Sequence, residues 1–264
     1  MHLTAPQAAA ALRWLTDSGV DVLVGDRPGN WLTKPSPLLK TRVEPARAPA
    51  QTSAPPPSLG TASTAPIAAG RTSAPPLTAR TLEELRAEAE AYPLSIRRPG
   101  RPFVFADGNP GADLMVIGEA PGAQEEREGK PFVGPAGQLL DRMLSAIDLD
   151  RSKVYIANLS PWRPAQNRTP SMQEAAECLP LLHRHIAIAG PKLILTVGGT
   201  SAKALLQTET GIMRLRGKWR DVEIEGQTYA VLPTFHPAFL LRQPEQKRLA
   251  WLDLLAFRAR AAQG

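Results

Sequence analysis

Three residues able to bind and polarise a small planar heterocycle stand at the ends of short apolar runs in this chain. Glu119 lies in GEAPG (118–122) directly after LMVI, Asn158 follows YIA, and His236 precedes Pro237 after LPTF. A carboxylate supplies charge, a carboxamide a paired donor and acceptor, and an imidazole a neutral donor near pH 7. Phe132, in GKPFVG, adds a ring that could stack on such a heterocycle. Each residue alone has an ordinary structural explanation. An Asn after a strand forms turns, a His before proline packs, and GEAPG is a tight turn in which Gly118 and Gly122 relieve crowding. Their joint placement at the ends of successive apolar runs is what points to a site.

The elements that must position these residues follow from the pattern. Apolar runs at 114–117, 154–157, 193–197 and 229–232 read as buried strands. Helical faces separate them: 82–91, then 137–147 with apolar residues at 139, 140, 143, 144 and 147. A further helix starts after Ser171, with Glu174 completing a capping box and Pro180 expected to kink or split it. Helices over 200–206 and 244–262 close the chain. Alternation of this kind predicts an α/β fold, a three-layer α/β/α sandwich around a central four-stranded, mostly parallel sheet. Such folds place their sites at the carboxyl ends of the strands, which is where Glu119, Asn158, GGTSA (198–202) and His236 fall.

Composition sets the remaining bounds. Ten of the 27 prolines lie between residues 33 and 80, among Ala, Ser and Thr, so 33–80 is expected to be a disordered spacer. Residues 1–32 read as a small helical segment, too small for its own core and available to a protein partner, and 81–264 as the folded domain. The single cysteine, Cys178, excludes a disulfide framework and any metal site built from several thiolates. No apolar stretch is long enough for a membrane span and no secretory leader is visible, so a cytoplasmic, monomeric protein is expected. Net charge is +6, but residues 1–80 carry +4 of it, so only local clusters can serve nucleic acid. One cluster is Arg214, Arg216, Lys218 and Arg220, whose alternate spacing puts all four on one face of a strand. A solvated edge strand explains the same spacing.

GEAPGAQEEREGKPFVGPAGQLLDRML, YIANLSPWRPAQNRTP and PTFHPAFLLRQP together resemble the uracil-DNA glycosylase superfamily, in particular its family 4. The resemblance runs from about Leu82 to the C-terminus and implies removal of uracil from single- or double-stranded DNA by hydrolysis of the N-glycosidic bond. On that reading the nucleotide is flipped into a pocket. Asn158 donates to uracil O4 and accepts from N3–H, a pattern cytosine inverts at a cost of roughly several kcal/mol. Phe132 stacks on the ring, and His236 donates to O2 as negative charge develops there. Glu119, with the backbone of Ala120 and Pro121, holds the attacking water, since the Asp of the best-known branch is replaced by Ala120. Gly122 stands where that branch places an aromatic that blocks thymine. Leu240 of HPAFLLR is the expected wedge into the base stack, with Arg242 on a phosphate. The basic strip would contact backbone, and Ser201 with its neighbouring N–H groups is a second phosphate candidate.

Two departures from the resemblance matter. Family 4 members resemble one another in holding an iron–sulfur cluster on four cysteines, and the matching positions here are Ala89, Tyr92, Trp162 and Cys178. One thiolate cannot hold a cubane cluster, so no cofactor is expected, and Tyr92 and Trp162 are expected to fill its space. One branch of the superfamily traps the abasic sugar through a histidine in the loop after the second strand. The corresponding loop here, SPWRPAQNRTP (160–170), has none. A non-catalytic or covalently trapping uracil-DNA binding protein is the alternative reading, and an unrelated hydrolase of free nucleosides a third.

Overall fold

The computed structural model describes residues 75–263, so the expected N-terminal segment and residues 33–74 of the spacer lie outside the described residues. The domain's packing begins before the expected boundary at 81. Leu77 and Ala79 join the core, and the Arg184 Nε–H donates to the Ala79 carbonyl at 2.7 Å.

In chain order the elements are α1 (Leu82–Ala91), β1 (Ala106–Gly108), β2 (Leu114–Gly118), α2 (Ala123–Glu128), α3 (Pro135–Ser145), β3 (Tyr155–Asn158), α4 (Met172–Ala189), β4 (Leu193–Val197), α5 (Gly199–Leu206), α6 (Ile212–Leu215), β5 (Arg220–Ile224), β6 (Gln227–Thr234), α7 (Pro237–Arg242) and α8 (Lys247–Ala261). They form one six-stranded mixed sheet in the order β1-β3-β2-β4-β6-β5. The four expected strands are its interior and run parallel, while β1 and β5 add antiparallel edges that the four-stranded expectation omitted. Edge strands read poorly in sequence because they are short or half exposed. β1 has three residues, and β5 buries only Ile224 fully.

Side chains of β2 alternate between two cores. Met115 and Ile117 face one cluster with Leu85 of α1, Cys178 and Leu182 of α4 and Leu205 of α5; Val116 faces the other, with Leu140 of α3, Leu240 of α7 and Leu254 of α8. Strand burial on both faces is what the continuous apolar runs encode.

The helix starts follow the expected caps. Ser171 Oγ accepts the Glu174 N–H at 3.1 Å, and Glu174 Oε2 accepts the Ser171 N–H at 2.7 Å. Helix α4 runs unbroken through Pro180 to the left-handed cap Gly190. Proline leaves the Ala176 carbonyl without its helical donor, but Ala176 and Pro180 both lie on the exposed face, where water serves that carbonyl. The expected C-terminal helix divides instead. Pro244–Gln246 forms a 3-10 turn, and α8 begins at Lys247.

Candidate active site

Register brings the candidate residues to one edge of the sheet. Gly118 of β2 pairs with Asn158 of β3, and Val197 of β4 pairs with Thr234 of β6. The residues at or just beyond these ends therefore face a common cleft of about 570 Å³. Glu119, Ala120, Pro121, Gly122, Phe132, Asn158, His236 and Arg242 all line it.

Asn158 is the last residue of β3 and is 7% exposed. Its Oδ1 is buried with no hydrogen-bond partner. A buried acceptor left unpaired costs about 1–3 kcal/mol, and at a cleft wall this one can take a donor from a bound molecule. Gly118 makes this placement possible, because a Cβ there would stand 2.3 Å from Asn158 Oδ1 and 2.5 Å from Phe132 Cζ.

Phe132 is buried and adopts φ 56°, unusual for an aromatic residue. Three groups hold that conformation. Arg151 donates to the Phe132 carbonyl and, at 3.2 Å, to the Pro131 carbonyl. Glu125 Oε1 accepts the N–H groups of Val133 (3.1 Å) and Gly134 (2.9 Å), while its Oε2 accepts that of Gly122 (3.1 Å). Gly137 lets α3 press on the loop, since a Cβ there would lie 1.7 Å from the Phe132 oxygen. Glu125 thus ties the GEAPG turn to the Phe132 turn. The motif does not signal this role, because Gly122 has no side-chain oxygen to mark it as a helix cap.

His236 caps α7. Its Nδ1 accepts the Ala238 N–H at 3.1 Å, so the neutral ring carries its proton on Nε2. Burial pushes its pKa below the usual imidazole value; Glu119 and Glu125 oppose that shift and Arg242 adds to it. The imidazole stacks beside Phe132, with centroids 5.7 Å apart and planes at 29°. The cleft therefore joins an aromatic face, an unpaired amide oxygen and a neutral N–H donor.

Glu119 lies beside α5, where its Oε1 accepts the Thr200 N–H at 2.9 Å. That amide is consequently not available to a phosphate. Ser201 is fully buried, with its hydroxyl turned to the Gly198 carbonyl, so the expected phosphate role of Ser201 is corrected. A Cβ at Gly122 would stand 2.6 Å from Glu125 Oε2, so a side chain there would have to displace the Glu125 carboxylate from its three backbone donors.

The DNA-facing expectations also change. Leu240 is fully buried in the core, so it cannot wedge into a base stack. Its neighbour Leu241 is 45% exposed. The basic residues do not share one strand face. Arg214 is on α6, Lys218 lies in the connection that follows, and only Arg220 enters β5. Arg216 turns inward to Asp253, with Nε 2.9 Å from Oδ2, and its guanidinium lies 5.4 Å from the Phe235 ring centroid. Asp253 also accepts the Thr234 hydroxyl at 2.7 Å, which braces the strand end that carries His236. Arg168 joins the cleft rim and forms a two-pronged ion pair with Glu174, at 2.6 Å on each prong, which holds the Glu174 carboxyl at about 2.

The positions implied for a cluster do not fit one. Ala89, Tyr92, Trp162 and Cys178 are all buried in the same apolar core. Burial pushes the Cys178 thiol up to about 12, so it stays protonated, and the Trp162 ring packs on Phe103 at 4.9 Å between centroids. Among the described residues no group of three or more His, Cys, Asp or Glu could hold a metal ion.

Residues 105–255 match the model of the uracil DNA glycosylase superfamily. The chain is 37% identical over 180 residues to a type-4 uracil-DNA glycosylase of Pyrobaculum aerophilum, covering 67% of this chain and 91% of that relative. A type-4 uracil-DNA glycosylase of Sulfurisphaera tokodaii is 38% identical over 160 residues, covering 59% and 73%. One of Thermotoga maritima is 37% identical over 167 residues, covering 62% and 84%.

Proposed function

The chain belongs to the uracil-DNA glycosylase superfamily, and from that premise we propose how its own residues carry out the reaction. It is a uracil-DNA glycosylase acting in DNA repair. The observation that carries the assignment of roles is the buried, unpartnered Oδ1 of Asn158 beside the Phe132 ring.

A flipped uracil stacks on Phe132 and gives its N3–H to Asn158 Oδ1, while the Asn158 amide donates to O4. As the C1′–N1 bond breaks, its electron pair moves onto the base and negative charge gathers on O2. The Nε2–H of neutral His236 donates to that oxygen, worth on the order of 3 kcal/mol. A neutral donor suits this task because its tautomer is already fixed by Ala238. Glu119 faces the oxocarbenium-like sugar and holds the water that adds to C1′. The water keeps one hydrogen as the new C1′ hydroxyl and loses the other to solvent, the departing uracil anion takes up a proton from solvent, and the products are uracil and an abasic site.

Leu241, on the exposed side of α7, takes the wedge role that burial denies Leu240, and Arg242 contacts a flanking phosphate. Packing of Tyr92, Trp162 and Phe103 supports the absence of an iron–sulfur cluster, and pure protein is expected to lack both 400 nm absorbance and stoichiometric iron. With no histidine in 160–170, the abasic product is released rather than trapped.

Incubation with a uracil-containing oligonucleotide, followed by alkali and a denaturing gel, tests this reading. Alkali-labile sites and free uracil are expected. An SDS-resistant protein–DNA adduct would overturn the hydrolytic assignment.

A further inference from the structure

Among the described residues, the side-chain hydrogen bond of Glu119 is made to backbone. Its Oε1 accepts the Thr200 N–H at 2.9 Å in the first turn of α5, at a position where a helix amide has no partner of its own. The carboxylate also lies directly over Gly198, whose φ is +119°; a Cβ there would stand 2.5 Å from Oε1 and 2.9 Å from both Cδ and Cγ. The chain thus leaves out a side chain where Glu119 must lie and offers it an amide.

We propose that the start of α5 is a positioning device for Glu119, with the Thr200 N–H as its donor and Gly198 as the space that receives the carboxylate. The inference rests on the role of Glu119 given above. With Oε1 committed to Thr200, Oε2 is the oxygen left to hold the attacking water. The partially positive helix start also attracts the carboxylate and holds it against α5. A carboxylate free to rotate would lose both the water and the alignment, at a cost to the chemical step rather than to binding.

Thr200→Pro removes the donor while keeping a residue the first helical turn accepts. Thr200→Ala keeps the amide and loses the same side chain, so the pair isolates the N–H. Both are compared with Glu119→Gln and with the double variant Thr200→Pro/Glu119→Gln. The readouts are single-turnover uracil release from a single-stranded oligonucleotide and affinity for one carrying uncleavable 2′-fluorodeoxyuridine.

Thr200→Pro is expected to release uracil about tenfold more slowly than Thr200→Ala, with analogue affinity within about threefold. The double variant is expected to be no slower than Glu119→Gln alone, because the donor acts only through that carboxylate. Equal rates for Thr200→Pro and Thr200→Ala, with Glu119→Gln slow, would overturn this inference and leave the role of Glu119 intact. An unimpaired Glu119→Gln would overturn both. If Thr200→Pro does not fold, replacing the Thr200 N–H by an ester oxygen through the α-hydroxy acid analogue removes the same donor without a ring, and a rate equal to that of the unmodified protein would overturn the inference.

Discussion

The Nδ1 of His236 accepts the backbone N–H of Ala238 at 3.1 Å, which fixes the tautomer of a half-buried imidazole before any substrate arrives. Helix α7 therefore begins on the residue proposed to donate to uracil O2, and its cap is that ring.

That contact makes a pH prediction with a definite sign. Burial lowers the His236 pKa from its ordinary value, so the ring stays neutral through the usual imidazole range. Single-turnover uracil release is expected to be flat near neutrality and to fall only at more acidic pH, as the ring protonates and Nδ1 loses its acceptor role. The unfolded chain takes up that proton first, so this residue's contribution to stability also declines as pH falls below about 6.5. His236→Ala is expected to slow release by about 100-fold at neutral pH. A rate that rises on acidification below pH 6 would contradict a neutral donor.

Asn158 sets function against stability. Its Oδ1 has no protein hydrogen-bond partner, and the proposed bond from uracil N3–H would supply one where an orphaned buried acceptor costs about 1–3 kcal/mol. Asn158→Ala is expected to reduce release at least about 100-fold, on the scale of lost transition-state donors. Its melting temperature is expected to hold or rise, since the small cavity left behind offsets an orphan acceptor no longer buried. Thermal melts beside single-turnover assays check this, and a drop of 10 °C would refute it.

The Phe132 loop depends on what is absent from α3. A methyl at Gly137 would lie 1.7 Å from the Phe132 oxygen and 2.0 Å from its carbon, both backbone atoms with no flexible end to move. Gly137→Ala is expected to displace the loop, breaking the Arg151 and Glu125 contacts with it. A loss of about 3 kcal/mol or more in stability is expected from such overpacking, with release slowed at least tenfold. Urea titration and release kinetics measure the two effects separately.

The strands that carry the site were legible because burial on both faces leaves continuous apolar runs, and the residues after them could be read directly. Glu119, Asn158 and His236 share one cleft for that reason. Residues whose role depends on side-chain direction were not legible. Arg216 shares a period of two with Arg214 and Lys218, but a four-residue helix and a turn break that period, and Asp253 draws Arg216 inward. Leu240 and Leu241 are identical in type and adjacent, and only the phase of a six-residue helix decides which one is buried. Glu125 and the Thr200 amide act through backbone groups, which no residue identity encodes. The edge strands leave no continuous apolar run: β1 has three residues, and β5 alternates Val222 and Ile224 with exposed charges.

That phase gives the two leucines opposite expected phenotypes. Leu240 is fully buried among Leu140, Ala250 and Leu254, so Leu240→Ala is expected to destabilise the fold by about 2–5 kcal/mol. Leu241 is 45% exposed, so Leu241→Ala should leave the melting temperature within a few degrees. A wedge matters only where a partner strand must be kept from re-pairing with the flipped nucleotide. Leu241→Ala is therefore expected to slow release from duplex DNA about tenfold while changing the rate on single-stranded DNA less than about twofold. The ratio of the two single-turnover rates is the measurement. Equal losses on both substrates would assign Leu241 to general DNA contact, and no loss on either would remove it from the interface.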